Sequence, residues 1–159
     1  MTDEIRIRRA AEVDIPLIGK LLLQVHRVHS DVRSDLFRKG GRKYTDEELK
    51  EIFPDESRPI FVAERDGEVA GYAFCVHKQS LNDTSMTDIK SLYIDDLCVD
   101  ETARGLHIGT KIYEYVLDYA KRGGYYSVTL NVWADNVSAV GFYESLGMKI
   151  QKIGMEKIL

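Results

Sequence analysis

Residues 95–110 have the sequence Asp95-Asp96-Leu97-Cys98-Val99-Asp100-Glu101-Thr102-Ala103-Arg104-Gly105-Leu106-His107-Ile108-Gly109-Thr110. The residues from Lys90 to Val99 are rich in β-branched, aromatic and apolar types, which predicts a long strand. After the polar turn, apolar residues recur at helical spacing from Ile108 to Ala120, and Gly123-Gly124 ends the pattern. The segment is therefore expected to join a buried strand to an amphipathic helix.

A helix that begins after such a turn is a candidate anion site. Its first backbone N–H groups have no helical partner, and its dipole is positive at that end. Gly105 and Gly109 have no side chains to keep a phosphate from the backbone, and Arg104 adds a charged fork nearby. The same residues also suit an ordinary strand-turn-helix connection. The order Gly109-Thr110-Lys111 does not match a P-loop, and the glycine spacing does not match a dinucleotide fingerprint.

Outward from this segment, the chain alternates hairpins and crossover helices. The predicted order is a strand, two helices, three strands, a helix, a strand, a helix, and two short strands around Gly154 within residues 148–159. Asp66-Gly67 predicts a hairpin turn, and Asn136 predicts a helix cap. The fold class is thus α/β (α+β), with a mixed, twisted sheet of six or seven strands flanked by about four helices. Residues 1–159 are expected to form a single domain.

Composition excludes several classes of protein. Of 159 residues, 44% are hydrophobic and 30% are charged, which is typical of a folded chain. The net charge of −4 and the interspersed basic residues argue against nucleic acid as the main partner. No apolar run is long enough for a signal peptide or a membrane span, so a cytoplasmic protein without a membrane partner is expected.

The two cysteines do not indicate a disulfide or a metal site. Cys75 and Cys98 lie in apolar runs and are expected to be reduced core residues, and no metal site is expected because no histidine pairs with a cysteine at ligand spacing. One cluster of basic residues has two interpretations, a solvated loop or a patch that attracts an anionic group. It consists of Arg33, Arg38, Lys39, Arg42 and Lys43.

Two blocks of this sequence resemble the GNAT family of acetyltransferases. The family's coenzyme A signature is Arg or Gln, two residues, Gly, one residue, then Gly or Ala. Arg104 matches its first position and Gly109 its last, whereas His107 replaces the middle glycine. The second block resembles the family's Asn and Tyr separated by seven positions, followed by Gly and an apolar residue: Leu130-Asn131-Val132-Trp133, Asn136, Ala139, Phe142-Tyr143-Glu144 and Leu146-Gly147-Met148.

The resemblance implies acetyl-coenzyme A as cosubstrate and no metal. It implies that the strand before the loop binds pantetheine and the acetyl carbonyl, and that a backbone N–H near Leu97 or Cys98 stabilises the developing oxyanion. The implied contacts to pantetheine come from Leu97, Cys98 and Val99. Those to the pyrophosphate come from Arg104, Gly105, Leu106, His107, Ile108, Gly109 and Thr110. Those on the second wall come from Asn131, Asn136, Ala139 and Tyr143. Asn136 would also serve as a helix cap.

The same resemblance implies two catalytic residues. Tyr143 is expected to protonate the leaving thiolate, with packing on a buried helix face as the alternative. Strand alternation places Tyr93, Asp95 and Leu97 on one face and Asp96 on the other. In relatives whose base lies on this strand, its position matches Asp95 most closely, so the resemblance implies Asp95 as the general base. A bulge would reverse this parity. Solvation, or binding of a cationic substrate, is the alternative for both carboxylates.

The predicted function is that of an enzyme, an N-acetyltransferase that passes an acetyl group directly to a primary amine of a small molecule or a peptide. The alternatives are a non-catalytic acetyl-coenzyme A sensor and a transferase that uses another acyl group, such as succinyl. Dimers are common in the family, so a homodimer is among the expectations.

Overall fold

A computed structural model describes residues 4–159 of the chain. Its strands are β1 (Ile5–Arg9), β2 (Ile60–Arg65), β3 (Glu68–Gln79), β4 (Lys90–Val99) and β5 (Ser127–Leu130). Its helices are α1 (Ile15–Val32), α2 (Asp46–Ile52), α3 (Ile108–Arg122) and α4 (Val137–Ser145), with short 3-10 turns at Glu12–Asp14 and Glu101–Ala103.

The five strands form one mixed sheet in the order β1-β2-β3-β4-β5. The first four strands pair antiparallel with their neighbours, and β5 pairs parallel with β4. The α3 helix makes the crossover that a parallel pair needs. The predicted mixed α/β class is confirmed, and so are the long strand at β4 and the helix that follows it.

A separate apolar core covers each face of the sheet. On one face α1 and α2 pack on the sheet through residues such as Ile18, Leu22 and Leu49, together with Tyr72 and Phe74 of β3. On the other face α3 packs through Ile108, Ile112 and Val116 against Phe61, Ala73 and Ile94. Burial on both faces fixes the position of β4, which lies next to the edge of the sheet.

The sequence predicts six or seven strands, and this count is wrong for the part of the chain that the structure describes. Residues 148–159, expected to form two short strands, have no regular secondary structure. A strand forms only where another strand takes its backbone hydrogen bonds. Among residues 4–159, the only backbone hydrogen bond of this segment runs from the Met148 N–H to the Tyr143 carbonyl.

Candidate active site

The sheet opens between β4 and β5. The two strands pair from Ser91 with Ser127 to Ile94 with Leu130. Beyond Ile94, β4 continues to Val99, whereas β5 ends at Leu130. The last five residues of β4 therefore have a paired edge toward β3 and an open edge on the other side.

The hydrogen bonds of β4 identify which backbone groups point into this opening. The Asp100 N–H donates to the Ala70 carbonyl at 2.8 Å, so Asp100 faces β3. Because backbone groups alternate along an antiparallel strand, Cys98 also faces β3, while Leu97 and Val99 direct their N–H and C=O groups to the open edge. Of the two residues expected to supply the carbonyl-polarising N–H, Leu97 is the one whose N–H points to the open edge.

A row of unpaired amides lies directly beyond the opening. None of the seven backbone N–H groups from Arg104 to Thr110 donates a hydrogen bond to any residue in the range 4–159. The first amide of the following segment to be bonded is that of Lys111, whose N–H donates to the His107 carbonyl. Free amides combined with a helix N-terminus favour an anion.

Two residues give this loop its shape by adopting left-handed backbone angles. Gly105 has φ of 86° and His107 has φ of 59°. Glycine adopts such angles freely, whereas a residue with a β-carbon is strained there. His107 stands at the position where the family signature has glycine, so the signature's preference at that position has a backbone cause.

Gly109 lies where the first turn of α3 meets α4 and the end of β4. A β-carbon on Gly109 would lie 3.3 Å from the Phe142 ring and 3.6 Å from Val99. This position therefore faces α4 and β4 rather than the open loop. The missing side chain lets α4 approach the first turn of α3, which brings Tyr143 close to the opening.

Tyr143 lies at the edge of the α3-side core, with its ring centroid 6.4 Å from that of Tyr113. Burial raises the pKa of the Tyr143 phenol to about 12, and the negative charge of Asp96 and the nearby Tyr113 contribute. The Tyr143 hydroxyl makes no hydrogen bond within the described residues and stays protonated at neutral pH.

The predicted strand parity at Asp95 and Asp96 is wrong, because β4 contains a bulge. The β3–β4 register shifts between Phe74 and Cys75, where Phe74 pairs with Asp96 and Cys75 pairs with Ile94. The extra residue, Asp95, reverses the alternation that follows it. As a result Leu97 lies in the α3-side core, while both carboxylates bind tyrosines on the side of α1 and α2.

Asp95, the expected general base, already holds two partners. Its carboxylate forms an ion pair with Lys43 at 2.9 Å and accepts a hydrogen bond from the Tyr44 hydroxyl at 2.7 Å. The Tyr44 ring stacks on Phe74 at a centroid distance of 5.3 Å. Asp95 thus ties the loop between α1 and α2 to the middle of the sheet.

The Asp96 carboxylate accepts a hydrogen bond from the Tyr72 hydroxyl at 2.7 Å. Burial raises the pKa of the Asp96 carboxyl to about 6. The hydrogen bond from Tyr72 and the charge of Lys43 oppose this shift, whereas the charge of Asp95 adds to it. Asp96 is therefore ionised at neutral pH but able to accept a proton. The sequence does not identify Tyr72 as a site residue, because its neighbours in the strand are apolar and nothing in them indicates a polar partner.

The other expected site residues lie around the opening or behind it. Asn131 follows β5 and donates to the Tyr93 hydroxyl at 3.2 Å. Asn136 caps α4 by accepting from the Ala139 N–H at 3.2 Å, as predicted for a cap. The Cys98 side chain is buried in the core on the side of α1, and burial raises the pKa of its thiol to about 12. A thiol in that state is a poor nucleophile.

The basic cluster between α1 and α2 is largely neutralised. Arg33 pairs with Asp35 and Glu156, Arg42 pairs with Asp46, and Lys43 pairs with Asp95. Beside this segment lies a cavity of about 140 Å³. Its lining combines aromatic rings with polar and acidic groups: Val28, His29, Val32, Arg33, Phe37, Trp133, Asp135 and Asn136.

Residues 4–159 contain neither a helix that could span a membrane nor a group of side chains that could hold a metal ion. In this range no helix combines the length and the apolar character needed to cross a membrane. The same residues contain no group of three or more histidine, cysteine or acidic side chains arranged to hold a metal ion.

The sequence matches the model of the acetyltransferase (GNAT) family over residues 25–148. Glucosamine 6-phosphate N-acetyltransferase of Arabidopsis thaliana is 30% identical over 112 residues, covering 70% of each chain. Peptidyl-lysine N-acetyltransferase YjaB of Salmonella typhimurium is 25% identical over 146 residues, which are 92% of this chain and 84% of that one.

Solved structures share the architecture. A tetramutant of the BH1408 protein from Bacillus halodurans has a TM-score of 0.92 and 34% identity, with 97% of this chain and 99% of that chain covered. The aminoglycoside acetyltransferase meta-AAC0020 from a soil metagenomic sample has a TM-score of 0.73 at 21% identity, with 98% and 96% covered. The second likeness concerns the fold alone.

The raised pKa of Asp96 predicts how this residue affects stability. Its pKa is about 6 in the folded chain against an ordinary value of 3.8, so the folded state binds more protons between these values. Stability from this group is present at low pH and is lost as pH rises through about 6. We expect Asp96→Asn, which keeps an acceptor for Tyr72, to raise the unfolding free energy at pH 7 by up to about 3 kcal/mol. Urea denaturation of the parent and of Asp96→Asn measures this difference in unfolding free energy.

The gain should vanish below about pH 3, where the Asp96 carboxyl is protonated in both the folded and the unfolded state. Asp95→Asn is the matched control, since it removes the ion pair with Lys43 and is expected to give no gain at pH 7. An Asp96→Asn protein no more stable than the parent at pH 7 would contradict the assigned cause.

Proposed function

Since the chain belongs to the acetyltransferase (GNAT) family, we propose that this N-acetyltransferase takes the acetyl group from acetyl-coenzyme A and passes it to a primary amine. The observation that carries the proposal is the position of the seven free amides from Arg104 to Thr110 beside the open edge at Leu97 and Val99. The free N–H groups can donate hydrogen bonds to a diphosphate, and the open strand edge can pair with an extended amide chain.

The two parts of the site match the two parts of coenzyme A. The amides of residues 104–110 and the positive end of α3 would hold the pyrophosphate. The N–H and C=O groups of Leu97 and Val99 would pair with the pantetheine amides as another strand would. Asn131, Asn136 and Ala139 are proposed to line the second wall, and Asn136 combines this role with its cap.

The Leu97 N–H is proposed to donate to the acetyl carbonyl oxygen. The hydrogen bond strengthens as negative charge develops on that oxygen, so it lowers the barrier more than it stabilises the bound ester. A backbone donor fixed by β3 needs no rearrangement as the reaction proceeds. Cys98 has the opposite orientation and takes no part in this step.

Asp96 is proposed as the general base in place of Asp95. An alkyl ammonium has an ordinary pKa near 10.4, so its proton must be removed before the nitrogen attacks. Asp96 is ionised above about pH 6, and its negative charge contributes to the raised pKa of Tyr143. Asp95 holds Lys43 and Tyr44, and it is proposed to position the loop that covers this side of the sheet.

Tyr143 is proposed to donate its hydroxyl hydrogen to the sulfur as the carbon–sulfur bond breaks. Its phenol has a pKa of about 12, and a thiol has an ordinary pKa near 8.5. Complete transfer of the phenolic proton to the thiolate is therefore uphill. The hydroxyl stabilises the developing sulfur charge by a hydrogen bond, while the amine proton reaches the sulfur or the solvent through Asp96.

The acceptor is proposed to be a primary amine on a small molecule or a peptide. The named relatives include enzymes for glucosamine 6-phosphate and for peptidyl-lysine. The amine would approach Asp96 past the loop that Lys43 and Tyr44 anchor. Phe37, Trp133 and Asp135 line the adjacent cavity together with Arg33, whose guanidinium lies over the Trp133 ring at 5.8 Å.

An acceptor screen tests the proposed reaction directly. Acetyl-coenzyme A is offered with glucosamine 6-phosphate, an aminoglycoside, a polyamine or a lysine peptide, and thiol release is followed together with product mass. We expect release that depends on an amine and a product heavier by one acetyl group. Succinyl-coenzyme A is the donor control. Transfer of succinyl but not acetyl, or donor binding without transfer to any amine, would contradict the proposal.

The assignment of the base predicts a pH profile. With any acceptor found, kcat/KM of the parent should fall below about pH 6 as Asp96 becomes protonated. Asp96→Asn should lower kcat/KM by about 10²–10⁴ and remove this inflection. Asp95→Asn, the isosteric neighbour, should keep the inflection while KM rises. An inflection that survives in Asp96→Asn and disappears in Asp95→Asn would assign the base to Asp95.

A further inference from the structure

Two tyrosine–aspartate pairs lie side by side on the α1 and α2 side of the sheet. The Tyr72 hydroxyl donates to the Asp96 carboxylate at 2.7 Å, and the Tyr44 hydroxyl donates to the Asp95 carboxylate at 2.7 Å. Both tyrosines contact the ring of Phe74, Tyr72 edge-on at a centroid distance of 4.9 Å and Tyr44 stacked at 5.3 Å. The two carboxylates have tasks in the proposed reaction, whereas Tyr72 has none.

Tyr72 is the more constrained of the two tyrosines. It is fully buried, and its strand pairs on both sides, where Tyr72 lies opposite Val62 of β2 and Cys98 of β4. Its ring belongs to an apolar core with residues such as Ile18. A hydroxyl in such a core costs free energy unless it forms a hydrogen bond. The Asp96 carboxylate provides that hydrogen bond.

A hydroxyl on a fully buried ring restricts the carboxylate that accepts from it. An aspartate side chain has two rotatable bonds, and both lose freedom when Oδ2 of Asp96 is held by Tyr72. The other oxygen then keeps one position relative to β4. A general base must lie within hydrogen-bond reach of the proton that it removes, so a carboxylate held in one orientation is more effective than a mobile one.

The same hydrogen bond acts on the charge of Asp96. Burial raises the pKa of the Asp96 carboxyl to about 6, and the charge of Asp95 adds to this shift. The hydrogen bond from Tyr72 and the charge of Lys43 lower this pKa, because both favour the ionised form. Burial also raises the pKa of the Tyr72 phenol well above its ordinary value, so its hydroxyl stays a donor at neutral pH. Three other titratable groups are affected by the Asp96 charge, and each is neutral at pH 7 because burial raises its pKa: Tyr44, Cys98 and Tyr143.

We propose that Tyr72 is a positioning residue for acetyl transfer, and that its hydroxyl holds the Asp96 carboxylate ionised and in one orientation for removal of the amine proton. This role of Tyr72 rests on the proposed function of Asp96 as the general base. Tyr72 touches neither the amine nor coenzyme A, and it acts on the reaction only through Asp96. Tyr44 makes the same hydrogen bond to Asp95 and therefore acts on the loop between α1 and α2 instead.

Phenylalanine variants of the two tyrosines test this role. Tyr72→Phe removes the hydroxyl and keeps the ring, and Tyr44→Phe makes the same change in the neighbouring pair. The Asp96 carboxyl is titrated by carbon NMR in protein labelled at aspartate, with Asp96→Asn used to assign its signal. The pH profile of kcat/KM is measured with an acceptor found in the screen.

In Tyr72→Phe we expect the NMR midpoint of Asp96 and the kinetic inflection both to rise by about one pH unit, because the ionised form loses a hydrogen bond. We also expect kcat to fall about tenfold, because the carboxylate loses its fixed orientation. Tyr44→Phe should leave the midpoint and the inflection in place. An Asp96 midpoint that is the same in the parent and in Tyr72→Phe would overturn the proposal, and so would equal displacement in both tyrosine variants.

A double variant separates positioning from a structural role. If Tyr72 acts through Asp96, adding Tyr72→Phe to Asp96→Asn should lower kcat by less than about twofold, because the group that Tyr72 positions is already lost. A fall of about tenfold in both backgrounds would show a structural effect of the hydroxyl and would overturn the proposal. Far-UV circular dichroism checks that each variant is folded.

The two readouts also separate this role from the proposed function. An NMR midpoint that moves while the kinetic inflection stays in place would show that Asp96 is not the base, and would overturn the positioning role with it. The NMR titration needs no catalytic activity. A parent protein that transfers acetyl to no amine in the screen is therefore a separate result, which contradicts the proposed function itself.

Discussion

β4 loses its neighbour after Ile94, where β5 stops at Leu130. Every other feature of the site depends on this difference in strand length. It exposes one edge of a strand whose other edge is fixed by β3, so the backbone donors and acceptors of that edge pair with no other strand within residues 4–159. Exposed strand edges bind other extended chains. Here the edge leads directly to a helix N-terminus with free amides. The site can therefore pair with an amide chain along the strand edge and bind a diphosphate at the helix N-terminus.

Around this opening, small local deviations position the chemistry. The bulge at Asp95 places two adjacent carboxylates on the same side of the sheet, where Asp95 binds the loop between α1 and α2 and Asp96 accepts from the Tyr72 hydroxyl. Gly109 has no side chain, so α4 can contact the first turn of α3. The buried Asp96 carboxylate lowers stability at neutral pH, as groups poised for proton transfer often do.

The sequence alone predicts the scaffold well. Periodicity and capping residues predict β4, α3 and the Asn136 cap, and the signature around Arg104 predicts the loop that follows β4. The faces of Asp95 and Asp96 are not predicted, because a bulge depends on the register with β3, which lies twenty residues earlier in the chain. The last two strands, expected within residues 148–159, are not found because within residues 4–159 no strand pairs with this segment.

The central claim is that the loop after β4 binds coenzyme A through backbone amides whose geometry depends on Gly105. Gly105 and Gly67 offer a matched pair, because each has a positive φ, of 86° and 79°, and open space where a β-carbon would go. Alanine at either position introduces a similar strain of about 1–2 kcal/mol. Isothermal calorimetry with coenzyme A should show affinity at least tenfold weaker for Gly105→Ala and unchanged for Gly67→Ala. Equal affinities for the parent and both variants would contradict the account.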